Sequence, residues 1–273
     1  MRRKILLAAL TALLLAALAA GWNAGMAAES KAKWPKTSSS QKTNGKMKLD
    51  VGNSSEGYFM AAVSSKTKHK MKLRVVKGDT TLNYDLNGDG AFEVFPFQLG
   101  SGKYEISLWE NVSGKKYSAA GKVNLTVKLK AENVCFLYPN QYVNYSKKTA
   151  AVAKANELCS GMGEKDAYNA IKKFISNSFT YDYVKAATIK PSVMPDLDGC
   201  YSKQKGVCQD LSAVMVCMLR SQGIPARLVV GYADKNYHAW LVVEVDGKKV
   251  LFDPTAAVSH SKNASKYTVE RYY

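Results

Sequence analysis

Residues 206–253 constrain the fold more than any other stretch. Val214-Met215-Val216-Cys217-Met218-Leu219-Arg220-Ser221-Gln222 reads as a helix, and it stops at Gly223-Ile224-Pro225. Gly223 stands where a helix wants a left-handed C-terminal residue, and Pro225 cannot continue the helix. Leu228 to Val230, Trp240 to Val245 and Lys249 to Phe252 then follow as strand-type runs, with Asp246-Gly247 as a two-residue hairpin turn. An apolar helix followed by antiparallel strands predicts an α+β unit in which the helix packs on the sheet.

The rest of the chain divides around that unit. Residues 47–130 read as short strands. Met71 to Val76, Gly102 to Trp109 and Val123 to Leu129 alternate at period two, and Gly-containing turns separate them. An antiparallel β-sandwich-like domain is expected there. Asp85-Leu86-Asn87-Gly88-Asp89-Gly90 starts like a calcium loop, but the twelfth position, where a bidentate glutamate belongs, is Pro96. A plain hairpin between Tyr84 and Phe92 is expected instead. Residues 131–149 are taken as a linker. From 150 to 273 the pattern is mixed, with helices expected over 151–158 and 164–176.

Chemistry concentrates in three motifs: Gly206-Val207-Cys208-Gln209-Asp210, Tyr237-His238-Ala239-Trp240 and Phe252-Asp253-Pro254-Thr255. Cys208 falls at a helix N-terminus, where free N–H groups and the macrodipole favour a thiolate. A histidine can take the thiol proton and return one to a leaving amine, and a carboxylate fixes the ring tautomer. The chain has only three histidines and five cysteines, so rival pairings are few. His238 opens one strand and Asp253 ends the next, which allows their side chains to meet. Asp253 also suits a turn-capping role before Pro254. The Cys208 N–H is one natural oxyanion donor, and Tyr181 and Gln204 are candidates for the second. Gly206 is read as leaving room for a substrate backbone. The other cysteines, Cys135, Cys159, Cys200 and Cys217, suffice for two bridges, although Cys217 on the apolar helix reads as a buried thiol. The cysteines lack close pairing and a histidine cluster, and no phosphate or dinucleotide loop is present, so no metal or cofactor is expected.

These motifs, together with Gly223-Ile224-Pro225-Ala226-Arg227 and Gly231-Tyr232, make the segment from Ala167 to Ala257 resemble the transglutaminase-like superfamily, in particular its secreted bacterial members. The resemblance implies a papain-like catalytic domain over 150–273, with Cys208 as nucleophile, His238 as base and Asp253 as orienting acid. Val250-Leu251-Phe252 departs from the tryptophan many members carry before the acid. The superfamily includes cross-linkers, peptidases and amidases. The resemblance therefore implies a cysteine acyl-transfer enzyme that acts on peptide or side-chain amides through a thioester, with hydrolysis favoured. The alternatives are a protein cross-linker using lysine acceptors and a catalytically silent wall-associated module.

Residues 1–28 read as a signal peptide. Met1-Arg2-Arg3-Lys4 is basic, residues 5–20 are apolar but short for a membrane span, and small residues around Ala27-Ala28 offer cleavage sites. A polar linker is expected over 29–46. The expectation is a secreted or envelope-associated protein with no membrane span left after cleavage. Its formal charge of +17 comes mainly from lysine, which would attract anionic envelope polymers. No nucleic-acid-binding motif accompanies that charge.

Overall fold

Period-two alternation in the first half is realised as eight strands among the described residues. The computed structural model describes residues 31–190 and 192–273, so the expected leader lies outside them. The strands are β1 (Gln41–Asn44), β2 (Met47–Asp50), β3 (Tyr58–Val63), β4 (Met71–Lys77), β5 (Thr80–Leu86), β6 (Glu93–Pro96), β7 (Gly102–Ser113) and β8 (Lys116–Val127). They form two antiparallel four-stranded sheets, ordered β1-β2-β3-β6 and β5-β4-β7-β8. On β4, Met71, Leu73 and Val75 are buried while Arg74 between them is exposed, as alternation requires. Aromatic rings fill the space between the sheets. Phe59 stacks on Phe95 at 5.5 Å, Tyr84 meets Phe95 edge-on at 5.2 Å, and Phe97 meets Tyr104 at 5.0 Å.

Three local expectations need correction. The Tyr84–Phe92 segment is not a hairpin: β5 pairs with β4, and β6 pairs with β3, so the turn-rich centre crosses between sheets. Glu93 holds the crossover by accepting from the Asn87 N–H and from Gln141 Nε2 at 2.8 Å. The polar stretch before residue 47 is not all tether, because residues 41–44 form β1 and Ser38 Oγ donates to Asp50 at 2.6 Å. Residues 131–149 are packed rather than extended. A 3-10 turn at Val134–Leu137 is buried, Tyr138 lies 4.6 Å from Tyr58, and Val143 and Tyr145 are core residues. The apolar Val-Cys-Phe-Leu-Tyr run outweighs the polar residues around it. Lys31–Tyr273 accordingly forms one compact unit.

The second half comprises α1 (Ala150–Leu158), α2 (Glu164–Ser178), β9 (Thr180–Tyr181), α3 (Tyr183–Thr188), α4 (Leu197–Lys203), β10 (Lys205–Gly206), α5 (Cys208–Ser221), β11 (Ala226–Ala233), β12 (Asn236–Val245), β13 (Lys248–Phe252), α6 (Pro254–Val258) and β14 (Tyr267–Tyr272). The sheet is antiparallel in the order β13-β12-β11-β14. Helix α5 is apolar all round, and every residue from Asp210 to Ser221 is buried, as befits a central helix. It packs on α1, α2, α4, β11 and β12. Gly223 ends it at φ 74°, with its N–H on Arg220 O and the Ile224 N–H on Leu219 O. Asp246 (φ 48°) and Gly247 (φ 73°) make the expected turn between β12 and β13.

Arg220 is fully buried. Its guanidinium donates to three backbone carbonyls, Ala226 (2.9 Å), Tyr138 (2.7 Å) and Tyr273 (2.8 Å), and so joins the α5 end, the 131–149 segment and the end of β14. The five cysteines are all free thiols, which removes the option of two bridges. Cys135, Cys159, Cys200 and Cys217 are each packed as small apolar side chains, and burial pushes the thiols of Cys135 and Cys200 up to about 12 and that of Cys159 up to about 11. Among the described residues, no helix is long and apolar enough to cross a membrane.

Candidate active site

Cys208 is the first residue of α5 and is partly exposed, unlike the other four cysteines. Its helix start is built by Asp210, two residues on and wholly buried. Asp210 Oδ2 accepts from the Val207 N–H (3.1 Å) and pairs with Lys185 Nζ (2.7 Å), while Oδ1 accepts from the Asp196 N–H (2.9 Å). One carboxylate thus satisfies a free N–H at the helix start and anchors α3 and the residue before α4. Gly206 has a different role from the one expected. A Cβ there would fall 2.5 Å from Cys200 Sγ and 2.9 Å from Asp210 Cβ, so the space it frees is filled from within.

Strand pairing delivers the histidine. His238 on β12 lies opposite Gly231 on β11, and β14 runs along the other side of β11 with a bulge at Val230/Gly231. A Cβ at Gly231 would sit 2.1 Å from Thr268 O, so only glycine lets β14 approach this closely. Asp253 follows β13 and divides its two oxygens between two tasks. Oδ1 caps α6 through the Thr255 N–H (2.9 Å) and the Ala256 N–H (3.3 Å). Oδ2 meets His238 Nε2 at 2.8 Å and accepts from the Tyr267 hydroxyl at 2.9 Å. Asp253 therefore caps α6 and contacts the His238 imidazole at the same time. With Nε2 engaged by Asp253, Nδ1 is the ring nitrogen left for another partner, and Cys208 is near enough to contribute to the raised pKa of the imidazole. Trp240, fully buried, lies nearly parallel to the His238 ring at 6.4 Å and packs on Tyr267 at 5.0 Å.

The electrostatics follow from these contacts. Burial alone would lower the pKa of His238, but the hydrogen bonds and charges of Asp253 and Cys208 outweigh it and raise it to about 9. Burial would raise Asp253, yet the imidazole, the Tyr267 hydroxyl and the α6 N–H groups hold it below the usual carboxylate range. Burial and the Asp253 carboxylate push Tyr267 up to about 12, so it stays a hydrogen-bond donor throughout the working range. The imidazole therefore keeps its proton at neutral pH.

The two oxyanion candidates part company. Tyr181 is held beside the nucleophile by the short parallel pairing of β9 with β10, in which Gly206 lies opposite Tyr181 and the Asp182 N–H donates to Gly206 O. Its half-buried phenol is close enough to Cys208 to feel its charge. Gln204 is exposed in a left-handed conformation at the end of α4, and its carbonyl accepts from the Thr180 N–H. A cavity of about 650 Å³ near Trp34, Met60, Phe92 and Tyr145 shares no lining residue with this cluster.

Residues 152–254 match the model of the Transglutaminase-like superfamily. The match takes in the central helix and the strands that carry His238 and lead to Asp253. A 74-residue stretch is 36% identical to YebA, an uncharacterized protein of Bacillus subtilis strain 168, and covers 26% of this chain and 10% of YebA, so the chain spans only about a tenth of that relative's length. Similar solved structures include a candidate cysteine protease from Cytophaga hutchinsonii (17% identity, TM-score 0.41, covering 80% of this chain and 79% of that one). Another is the periplasmic domain of TgpA from Pseudomonas aeruginosa (16% identity, TM-score 0.37, covering 81% and 76%). Red sea bream transglutaminase follows at 13% identity and TM-score 0.30, covering 72% and 48%.

The transglutaminase-like core contains Tyr181, Cys208, Asp210, His238 and Asp253, whereas Tyr267 lies beyond its matched residues. Sequence reasoning missed Tyr267 and the Asp210–Lys185 pair. An acid at the third helical position after Val207 was a readable capping signal for Asp210. Nothing in the tyrosine-rich end of the chain singles out Tyr267.

Proposed function

We propose that the protein is an extracytoplasmic cysteine acyl-transfer enzyme that cleaves peptide or side-chain amides through a thioester. The observation that carries this reading is the 2.8 Å contact between the His238 imidazole and the Asp253 carboxylate, with Cys208 near enough to help raise the imidazole pKa. Cys208 attacks the amide carbonyl as a thiolate, and the oxyanion forms against the Cys208 N–H at the helix start, with the Tyr181 hydroxyl as the second donor. His238 gives its proton to the leaving amine. The neutral ring then takes a proton from water as the thioester is hydrolysed, and Asp253 keeps Nδ1 turned toward sulfur throughout. Hydrolysis is favoured over cross-linking because water is always at hand, whereas transamidation needs a site that admits an amine and excludes water. The basic leader, the apolar run after it and the lysine-rich charge support a place in the envelope, against anionic polymers.

Trapping tests the reading. The purified protein is incubated with secreted or wall peptides, quenched in acid and examined by mass spectrometry. An acyl adduct on Cys208, absent in Cys208→Ala, is the expected result. Incorporation of an added primary amine in place of water would make the enzyme a cross-linker. Failure of Cys208 to outpace free cysteine in iodoacetamide labelling near neutral pH would leave only a silent binding module.

A further inference from the structure

Nine large hydrophobic side chains are exposed among the described residues, and four of them fall within twelve positions: Tyr183 (70%), Val184 (73%), Val193 (45%) and Met194 (38%). Exposing single apolar residues is ordinary, but a cluster marks a contact surface. This cluster is fastened to the nucleophile. The Asp182 N–H donates to Gly206 O at 3.0 Å, Lys185 pairs with Asp210 at 2.7 Å, Gln209 Nε2 donates to Val193 O at 2.9 Å, and the Asp196 N–H donates to Asp210 at 2.9 Å. Asp182, Lys185, Val193 and Asp196 are thus all tied to positions 206–210, the immediate neighbours of Cys208. The Tyr183 ring meets Tyr181 edge-on at 5.0 Å, and Tyr181 is paired with Gly206, two residues before Cys208. The exposed Tyr183 is thus linked through Tyr181 to the strand that leads into the Cys208 helix.

Internal packing does not account for this arrangement. Every polar group of the segment that the ties use points inward to α5 and β10, and Tyr183 and Val184 at the start of α3 remain uncovered. We propose that this surface is the acyl-donor subsite, and that it selects substrates carrying an aromatic or large aliphatic side chain beside the amide under attack. The proposal rests on the cysteine acyl-transfer reading above and names its substrate class.

The test uses fluorescent hexapeptides in which glutamine is flanked by Phe, Leu, Ser or Glu, so that both backbone and side-chain amides are offered. The parent is expected to prefer Phe and Leu over Ser and Glu by roughly 10- to 100-fold in kcat/KM, the range one apolar pocket contact supplies. In a Tyr183→Ser, Val184→Ser variant with an unchanged melting temperature, that preference should collapse through KM rather than kcat. Fluorescence anisotropy with Cys208→Ala reads the same preference as binding, without chemistry. Turnover of all four peptides at equal kcat/KM overturns the subsite while leaving the enzyme reading intact. Absence of turnover with apolar-selective binding retains the subsite and removes the enzyme reading, and absence of both selectivity and turnover removes both. If the double substitution converts a dimer to a monomer at constant KM, a second copy of the chain covers the surface and the proposal falls.

Discussion

Asp210→Asn is the sharpest test of how the nucleophile is held. The carboxylate is wholly buried and accepts from three donors, the Val207 and Asp196 N–H groups and Lys185. Asparagine has nearly the same shape but only one acceptor atom. Its NH2 must then face either the Asp196 N–H or the Val207 N–H and Lys185 together, donor against donor. Removing one partner of a buried ion pair typically costs ~3–5 kcal/mol. The Lys185 side chain is 30% exposed and can turn to water, which puts the expected loss near the lower end, about 3 kcal/mol. For a unit of this size that corresponds to roughly 6–12 °C in Tm. Differential scanning fluorimetry measures the shift, and timed iodoacetamide alkylation of Cys208 at pH 7 should slow as the helix start loosens. Lys185→Met in the Asp210→Asn background should add much less than it does alone, because the pair is already broken. A variant that melts within about 2 °C of the parent and alkylates at the parent rate would refute the anchoring role.

Three further outcomes follow from the site and its supports. Tyr267→Phe removes one of the two donors on Asp253 Oδ2 and should cost ~1.5–3 kcal/mol in urea unfolding, the worth of a hydrogen bond to a charged group. Because Oδ2 then serves His238 alone, the descending basic limb of the kcat/KM profile should move to higher pH. The raised pKa of His238, about 9 against an ordinary 6.5, means that its pairing stabilises the fold fully below about 6.5 and that this contribution disappears as pH rises through 9. Asp253, held low, contributes above its ordinary 3.8 and loses that contribution as acid titrates it. The parent Tm should therefore fall between pH 7 and 10 by more than that of His238→Ala. Arg220→Lys cannot reach three carbonyls on separate segments, and each buried carbonyl left unmet costs ~1–3 kcal/mol. Urea unfolding should show a loss of at least about 2 kcal/mol.

What could be read from sequence was local. The apolar run 214–219 with its Gly223 stop, the Asp246-Gly247 turn, and the strands carrying His238 and leading to Asp253 are written in contiguous residues, and all occur as elements of the structure. The readings that failed concern partners distant in the chain. Alternation around residues 84–92 announces two strands but not that each joins a different sheet. The 131–149 stretch looks like a connector until Tyr58 and Arg220 are placed beside it. Burial of Arg220 goes against the habit of its residue type, and three backbone carbonyls from remote segments explain it. Gln204 and Tyr181 were equal candidates by composition, and a two-residue parallel pairing separates them.

The position of β14 sets an order of events during synthesis. Tyr267 to Tyr272 pair with Val229 to Ala233, which leave the ribosome some forty residues earlier. A nascent chain that has emerged only through Asp253 holds Cys208, His238 and Asp253, yet lacks the Tyr267 hydroxyl and exposes the bare edge of β11. Such an edge templates pairing with other chains until its own strand arrives. The residues of β14 thus both close the sheet and complete the hydrogen bonding of Asp253, so the surroundings of His238 are finished only after the chain has emerged through Tyr272.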